Sequence, residues 1–241
     1  MSLILNIIAD KDDTKKAKIR YNNSDWSYVG SPTYSDTVYP PGFTDSFYLD
    51  YYSYLVSPTS SIFNLHNKTF TITWWEYNTT DLRNGTATIN MGLDENESWL
   101  LLSYPNFRCY AGSKPYDYNP PYWEVFDGWY CMGRYTMNQW INFAFVCEFK
   151  DNTHTFRTYR DGNIIGERTS SVTFPDVGNL GRMYVGGYLK RDDNPPGTNR
   201  YLQNIRMYNE ALFSDTSYNV FDYEDYGEIN KIFSLFNYNN V

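Results

Sequence analysis

The chain contains few residues suited to nucleophilic, redox or zinc chemistry. Its 241 residues include two histidines, His66 and His154, and three cysteines, Cys109, Cys131 and Cys147. Three cysteines cannot form a fully paired disulfide framework, so we expect reduced thiols, and Cys147 falls in register with large apolar residues of the core. The motifs G-x-S-x-G, H-E-x-x-H and G-x-x-x-x-G-K-[ST] are absent. Nucleophilic and zinc catalysis therefore have no support in the sequence.

Positive charge and long apolar runs are also scarce. The net charge is -8, which argues against a nucleic-acid partner because affinity for phosphates normally rests on clustered Lys and Arg. No segment approaches the roughly 20 apolar residues of a membrane span. The first residues, MSLILNIIADKDDTKKAKIR, lack the basic start and the longer apolar core of a secretory signal. We expect a soluble protein that binds no nucleic acid, spans no membrane and is not exported by the ordinary route.

Aromatic residues, by contrast, make up 20% of the chain, with 25 tyrosines. Tyr joins a stackable ring to a hydroxyl that tolerates water, so much of the Tyr must lie at surfaces. Between Trp140 and Phe149, large apolar residues occupy every second position, which is the period of a strand with one packed face. A polar turn at Asp151 and Asn152 follows, then a strand over 155–160, and then Asp161-Gly162, which suits a tight hairpin.

Further strands are predicted at 3–8, 46–56, 70–75, 87–91, 99–104, 108–111, 122–126, 182–187 and 201–208. The strand at 70–75 carries aromatic residues on both faces. No long stretch sustains a 3.6-residue apolar period, so the pattern favours an all-β antiparallel β-sandwich with little helix.

The ends of the chain differ in charge and are predicted to be extensions of a central sandwich over 46–213. Residues 1–45 carry clustered lysines and end at the breaker Pro40-Pro41-Gly42, which indicates a boundary. Residues 214–241 are acidic and aromatic, with apolar side chains that are poorly suited to exposure, among them Phe221, Tyr223, Tyr226, Ile229, Phe233 and Phe236. We expect the two extensions to pack together beside the sandwich or to contact other subunits. The alternative is a solvated, disordered acidic tail.

Six segments in order carry a resemblance to a known family: SFYLDYYSYLV, FTITWWEYN, WINFAFVCEF, TYRDGNIIGE, MYVGGY and YLQNIRMYNEAL. Together they resemble the laminin-G-like, concanavalin A-like lectin jelly-roll domains, over about 170 of the 241 residues. The resemblance implies a two-sheet sandwich whose rim loops or concave face often bind glycans, sometimes with a calcium ion. Such domains occur in phage virion proteins, bacterial adhesins and carbohydrate-active enzymes, so the fold alone leaves the function open.

An aromatic insertion over 113–129 is the first candidate ligand site. Sugars present apolar C–H faces, on which exposed rings can stack, and hydroxyl groups, from which carboxylates can accept hydrogen bonds. The candidate carbohydrate-binding residues are Tyr116, Tyr118, Tyr122, Trp123, Trp129, Asp117 and Asp127. The alternative is that these rings pack on the sandwich, or on a neighbouring subunit, and hold the loop in place.

A second candidate is the loop 190–200, in which Asp192, Asp193 and Asn194 offer oxygen ligands for calcium. The same residue types are also the ordinary composition of turns. We expect no cofactor, with calcium as the alternative.

Catalytic acids are not evident. Relatives of this fold that hydrolyse glycans place Glu-x-Asp-x-Glu on one strand, which holds two carboxyl groups about 5 Å apart for a retaining mechanism. No Glu-x-Asp occurs here. The nearest approximations are Glu95-Asn96-Glu97 and Asp222-Tyr223-Glu224, and neither falls on a convincing core strand.

The leading interpretation is a non-enzymatic, lectin-like structural or decoration protein on the surface of a phage particle. Its expected partners are a cell-surface or mucosal glycan, used for adhesion, and other virion subunits or further copies of itself. Two alternatives remain open: a glycoside hydrolase or lyase on the same fold, and a secreted bacterial adhesin module at the cell surface or in the extracellular space.

Overall fold

The computed structural model describes residues 2–12, 17–20, 26–50, 52–79, 86–94, 97–104, 109–111, 136–171, 173–187, 199–213 and 217. These residues form two antiparallel sheets and one short 3-10 turn, Ser61–Phe63, with no α-helix among them. The strands are β1 (Leu3–Ala9), β2 (Ala17–Arg20), β3 (Ser27–Val29), β4 (Thr33–Ser35), β5 (Ser46–Leu49), β6 (Tyr54–Val56), β7 (Phe70–Asn78), β8 (Thr86–Gly92), β9 (Ser98–Tyr104), β10 (Cys109–Ala111), β11 (Trp140–Lys150), β12 (Thr153–Arg160), β13 (Asn163–Ser170), β14 (Arg182–Val185) and β15 (Arg200–Tyr208). The predicted all-β antiparallel sandwich is confirmed.

The larger sheet has nine strands, with the main order β13-β12-β11-β7-β15-β1-β2. Strand β15 has two neighbours on one edge: its first residues pair with β5, which in turn pairs with β4, and its later residues pair with β1. The change of neighbour accompanies a register shift between Gln203 and Arg206, where Asn204 has a φ of 54°. The smaller sheet has six strands in the order β10-β9-β8-β14-β6-β3.

Two tight hairpins join β11, β12 and β13, as the turn residues predicted. Asp151 and Asn152 have φ values of 51° and 59°, and Asp161 and Gly162 have φ values of 47° and 81°. Two successive residues with positive φ are the geometry of a type I′ turn, whose twist matches that of the flanking strands. The hairpins fix the register of the three strands, with Lys150 opposite Thr153 and Arg160 opposite Asn163.

The described part of segment 1–45 is integral to the sandwich. Strand β1 lies between β15 and β2, with Leu5 and Ile7 fully buried in the core. The Pro40-Pro41-Gly42 breaker is a tight turn between β4 and β5, in which the Phe43 N–H donates to the Pro40 carbonyl oxygen at 3.1 Å. The prolines therefore mark a turn within one sheet, because a fixed proline φ also suits the corner of a β-turn.

The core strand β11 is buried on both faces, where one packed face was expected. Phe143, Phe145 and Cys147 face the core between the sheets, which confirms the expected burial of Cys147. On the outer face, Ala144 and Val146 are covered by a separate apolar cluster that includes Phe213. Residues 211–213 thus lie against the outer face of the larger sheet. The C-terminal extension 214–241, apart from Ser217, lies outside the described residues.

Candidate functional site

Both predicted ligand sites lie outside the described residues and stay predictions. They are the aromatic insertion, with Tyr116, Tyr118, Tyr122, Trp123, Trp129, Asp117 and Asp127, and the loop with Asp192, Asp193 and Asn194. Of the acids considered for catalysis, Glu97 is described: its backbone N–H donates to Asp94 Oδ1 at 3.0 Å in an exposed turn after β8. Glu95, Asp222 and Glu224 are outside the described ranges.

A continuous row of four aromatic side chains crosses the larger sheet near one end of the sandwich. Tyr48 on β5 is the direct cross-strand neighbour of Tyr201 on β15. Tyr201 is in turn opposite Tyr77 on β7, and Tyr77 is opposite Trp140 on β11. The successive ring centroids are 4.8, 5.8 and 5.6 Å apart. We call these four residues the aromatic row.

The aromatic row is on the outer face of the sheet. Neighbouring residues along a strand point to opposite faces, and the residues next to the row, Leu49, Leu202, Glu76 and Ile141, are buried between the sheets. All four side chains of the row are partly exposed. The row therefore offers solvent a band of aromatic surface that the core does not use.

The aromatic row also carries four polar groups. The hydroxyl groups of Tyr48, Tyr77 and Tyr201 and the indole N–H of Trp140 form no hydrogen bond with any described residue. Burial raises the pKa of Tyr48. The neighbouring Tyr201 and the Asp50 carboxylate raise this pKa further. Tyr48 therefore keeps its proton well above neutral pH and can act as a hydrogen-bond donor.

The rings of the row do not lie in one plane. The angles between successive ring planes are 47°, 84° and 51° from Tyr48 to Trp140. These are tilted and edge-to-face arrangements, which aromatic pairs prefer over a parallel sandwich. The surface of the row is therefore stepped, with faces and edges of rings alternating along it.

A fully buried polar network lies on the inner side of the same strands. Glu76 accepts hydrogen bonds from Trp74 Nε1 at 3.0 Å, Asn78 Nδ2 at 3.0 Å, Thr88 Oγ1 at 2.8 Å and Arg200 Nη1 at 3.2 Å. The side chains of Glu76 and Arg200 have no exposed surface. The Glu76 carboxylate is buried in an ion pair with Arg200. It therefore has no surface that a ligand could contact.

This network joins the two sheets beneath the aromatic row. Thr88 belongs to β8 of the smaller sheet, at a register shift between Ala87 and Ile89, and it also accepts a hydrogen bond of 2.5 Å from Arg200. Glu76 and Arg200 immediately precede Tyr77 and Tyr201 in the chain. The buried pair therefore fixes the backbone from which two rings of the row project.

Sequence reasoning missed both the row and the buried pair. Glu76 occupies the inward phase that Ile72 and Trp74 define on β7, and a charged residue in that phase signals a buried partner. Trp75 and Tyr77 are in the opposite phase, which was a local signal for aromatic groups on the outer face. No local signal indicated that Tyr201 would lie beside Tyr77.

Two other features offer less to a ligand. Among the residues that the structure describes, no group of three or more His, Cys, Asp or Glu side chains is placed to hold a metal ion. A small recess, partly open to solvent, lies toward the other end of the sandwich, and its described lining is mainly Phe63, Leu65, Met91, Trp99, Phe174 and Val177. None of these lining residues carries a charge that could orient a ligand.

No helix within the described ranges has the length and apolar character needed to cross a membrane.

No protein-family model matches the chain, and no curated protein matches it either. The chain does match solved structures. Domain 4 of AbnA, a GH43 extracellular arabinanase from Geobacillus stearothermophilus solved in complex with arabinotriose, superimposes with a TM-score of 0.60 at 16% identity, covering 88% of this chain and 94% of that domain.

Two larger proteins contain a similar unit. Trypanosoma rangeli sialidase, in complex with sialic acid, matches with a TM-score of 0.55 at 16% identity, and the botulinum neurotoxin serotype D binding domain with a TM-score of 0.56 at 12% identity. The matches cover 96% and 89% of this chain but only 32% and 50% of those chains. At these identities the likeness establishes the fold, a concanavalin A-like β-sandwich.

Proposed function

We propose that this chain is a non-enzymatic carbohydrate-binding domain and that the aromatic row is its glycan contact surface. The observation that carries the proposal is the row itself: four partly exposed rings on adjacent strands, with hydroxyl and indole groups that no described residue engages. Sugar rings have apolar C–H faces and a polar rim, so such a surface meets both requirements of glycan binding.

The structural neighbours support carbohydrate binding but do not indicate which glycan this chain binds. The arabinanase domain, which this chain covers almost completely, was solved with arabinotriose, and the sialidase with sialic acid. A fold does not determine a function, so the support comes from a similar sandwich seen with a glycan together with an exposed aromatic surface on this one.

The absence of turnover is part of the proposal. Glycosidases place two carboxyl groups, about 5 to 9.5 Å apart, on either side of the bond that they cleave. In the described part of the chain, Glu76 is sealed in an ion pair and Glu97 lies in an exposed turn. Neither arrangement provides a pair of carboxyl groups that faces a glycan.

The location that we propose is the surface of a phage particle, as in laminin-G-like virion proteins, with a bacterial cell surface as the alternative. An open row on a sheet excludes little water, so binding at one site is expected to be weak, and display in many copies raises the effective concentration. Mass spectrometry of purified particles, and of washed cells without a prophage, distinguishes the two locations.

A glycan array tests the function. The assembled protein should bind at least one oligosaccharide, and Tyr77→Ala should reduce that binding. Tyr39→Ala is the matched control, since Tyr39 is an exposed tyrosine in the turn ahead of β5 and lies outside the row. Repeating the array with a chelator tests the calcium alternative. Absence of binding to every glycan would contradict the proposal.

A further inference from the structure

We infer that the ligand of the aromatic row is a single, soluble, neutral glycan chain of at least three sugars that lies across strands β5, β15, β7 and β11. This inference rests on the proposed function and specifies the ligand class for the same surface. It follows from the direction of the row, the tilt of its rings and the charge beside it.

The row sets the direction and the minimum length of the ligand. Its members are direct cross-strand neighbours, so the row runs perpendicular to the strands, with one aromatic residue on each. The three gaps between ring centroids, 4.8, 5.8 and 5.6 Å, are each comparable to the length of one sugar ring. A chain that places one sugar at each gap makes use of all four aromatic residues and contains three sugars.

The tilt of the rings favours a single glycan chain over a flat polysaccharide surface as the ligand. A crystalline polysaccharide presents a flat array of parallel chains, which needs coplanar rings for contact. Here the ring planes turn by 47°, 84° and 51° from one residue to the next. A soluble chain can rotate about each glycosidic bond and follow these steps, whereas a rigid flat surface contacts only the most prominent edge.

Charge at the β5 end of the row favours a neutral ligand. Asp50 directly follows β5, two residues after Tyr48, and its carboxylate raises the pKa of the Tyr48 hydroxyl. A uronic or sialic acid placed against Tyr48 would bring a second negative charge to the same position, and like charges repel there. The net charge of the chain, -8, adds to that repulsion at long range.

Isothermal titration calorimetry on the full chain tests the length and class of the ligand. The neutral probes are arabinan, xylan, glucan and galactan oligosaccharides of two to five sugars. The acidic probes are sialyllactose and oligogalacturonides, and pull-down with microcrystalline cellulose represents a flat surface. We expect at least one neutral series to bind, with an affinity gain of about tenfold from two to three sugars, equivalent to 1.4 kcal/mol, and little gain beyond four.

Variants of the aromatic row test whether the glycan binds there. Tyr77→Ala and Tyr201→Ala should each weaken the trisaccharide at least tenfold and abolish the gain from two to three sugars, while Tyr39→Ala should not. Asp50→Asn keeps the Oδ1 acceptor for the Tyr52 N–H and the Ser53 hydroxyl. It should reduce the difference in affinity between neutral and acidic probes. Added salt should have the same effect.

The possible failures are distinguishable. If the wild-type chain binds no probe of any class, the proposed function itself is contradicted. If it binds but prefers acidic probes or cellulose, gains nothing from the third sugar, or is unaffected by Tyr77→Ala and Tyr201→Ala, the inference is overturned while carbohydrate binding stands. Circular dichroism of each variant confirms that a loss of binding is not a loss of fold.

Discussion

Replacing Arg200 with methionine should destabilise the fold more than any single change of a surface charge. The substitution roughly conserves volume but removes the cation that pairs with Glu76 in the described part of the chain. The Glu76 side chain has no exposed surface. Breaking a buried pair by removing one partner costs about 3–5 kcal/mol, because it leaves an uncompensated buried charge. Trp74, Asn78 and Thr88 would still donate to Glu76, but none of them carries a charge.

The double variant separates the charge from the packing. In Glu76→Gln with Arg200→Met, neither member of the pair remains charged. The glutamine keeps one acceptor oxygen, which can accept from Thr88 and from either Trp74 or Asn78. Contacting residues show coupling energies of about 0.5–3 kcal/mol, so the double variant should cost clearly less than the sum of the two single variants.

Urea unfolding followed by tryptophan fluorescence measures these costs, and thermal melting provides a second readout. For a chain of this size, about 2–4 °C of melting temperature corresponds to 1 kcal/mol, so Arg200→Met should lower it by about 6–20 °C. Arg157→Met is the matched control, because Arg157 pairs with Glu148 and Glu167, whose side chains are 37% and 53% exposed. Pairs of that kind contribute about 0–1 kcal/mol. Equal costs for Arg200→Met and Arg157→Met would refute the reasoning.

Three further predictions concern stability and reactivity. Burial raises the pKa of the Cys147 thiol well above its usual range, so with the other two cysteines replaced by serine, a thiol reagent at pH 8 should label the chain only as fast as it unfolds; rapid labelling of the native protein would contradict this. Burial also raises the pKa of Asp45, so the folded state holds that proton more tightly than the unfolded state and stability falls as pH rises from the ordinary pKa of a carboxyl group through the raised value. Asp45→Asn should remove that part of the decline in urea titrations that start near the ordinary aspartate pKa of about 3.9 and proceed to neutral pH, and an unchanged slope would speak against it. Gly30→Ala should cost more than Gly178→Ala: both positions have positive φ, but the new Cβ at Gly30 would lie 2.8 Å from the Cα of Ser53, whereas nothing lies within 4 Å at Gly178. Equal unfolding midpoints for the two variants would be the contrary result.

Local patterns predicted the strands and hairpins that depend on local chemistry. Asp161-Gly162 predicted a tight turn because both residues tolerate positive φ, and both adopt it. The alternation over β11 predicted its core face correctly. Strand pairing could not be predicted in this way. Alternation with a period of two residues shows which face of a strand is apolar, but it does not show which strand lies beside it.

Non-local pairing explains what the sequence did not reveal about the fold. Leu5 is opposite Met207, a partner from the far end of the chain, and this pairing draws the first residues into the larger sheet. The outer face of β11 is buried because Phe213 returns to cover Val146. Neither contact leaves a trace in the local periodicity of the residues involved.

The candidate site is non-local in the same sense. Tyr48, Tyr77, Trp140 and Tyr201 are spread over four strands and become neighbours only through the order β11-β7-β15-β5. Composition predicted tyrosine at the surface, but the row requires the register of all four strands together. Glu76 was readable as an inward charge, whereas its partner, Arg200, is 124 residues away.

The most direct test of the account is a crystal structure of the chain with a bound neutral trisaccharide. The account predicts sugar rings against Tyr48, Tyr201, Tyr77 and Trp140, with the chain of the glycan perpendicular to the strands and hydrogen bonds to the tyrosine hydroxyls. A trisaccharide bound elsewhere, with the aromatic row unoccupied, would contradict it.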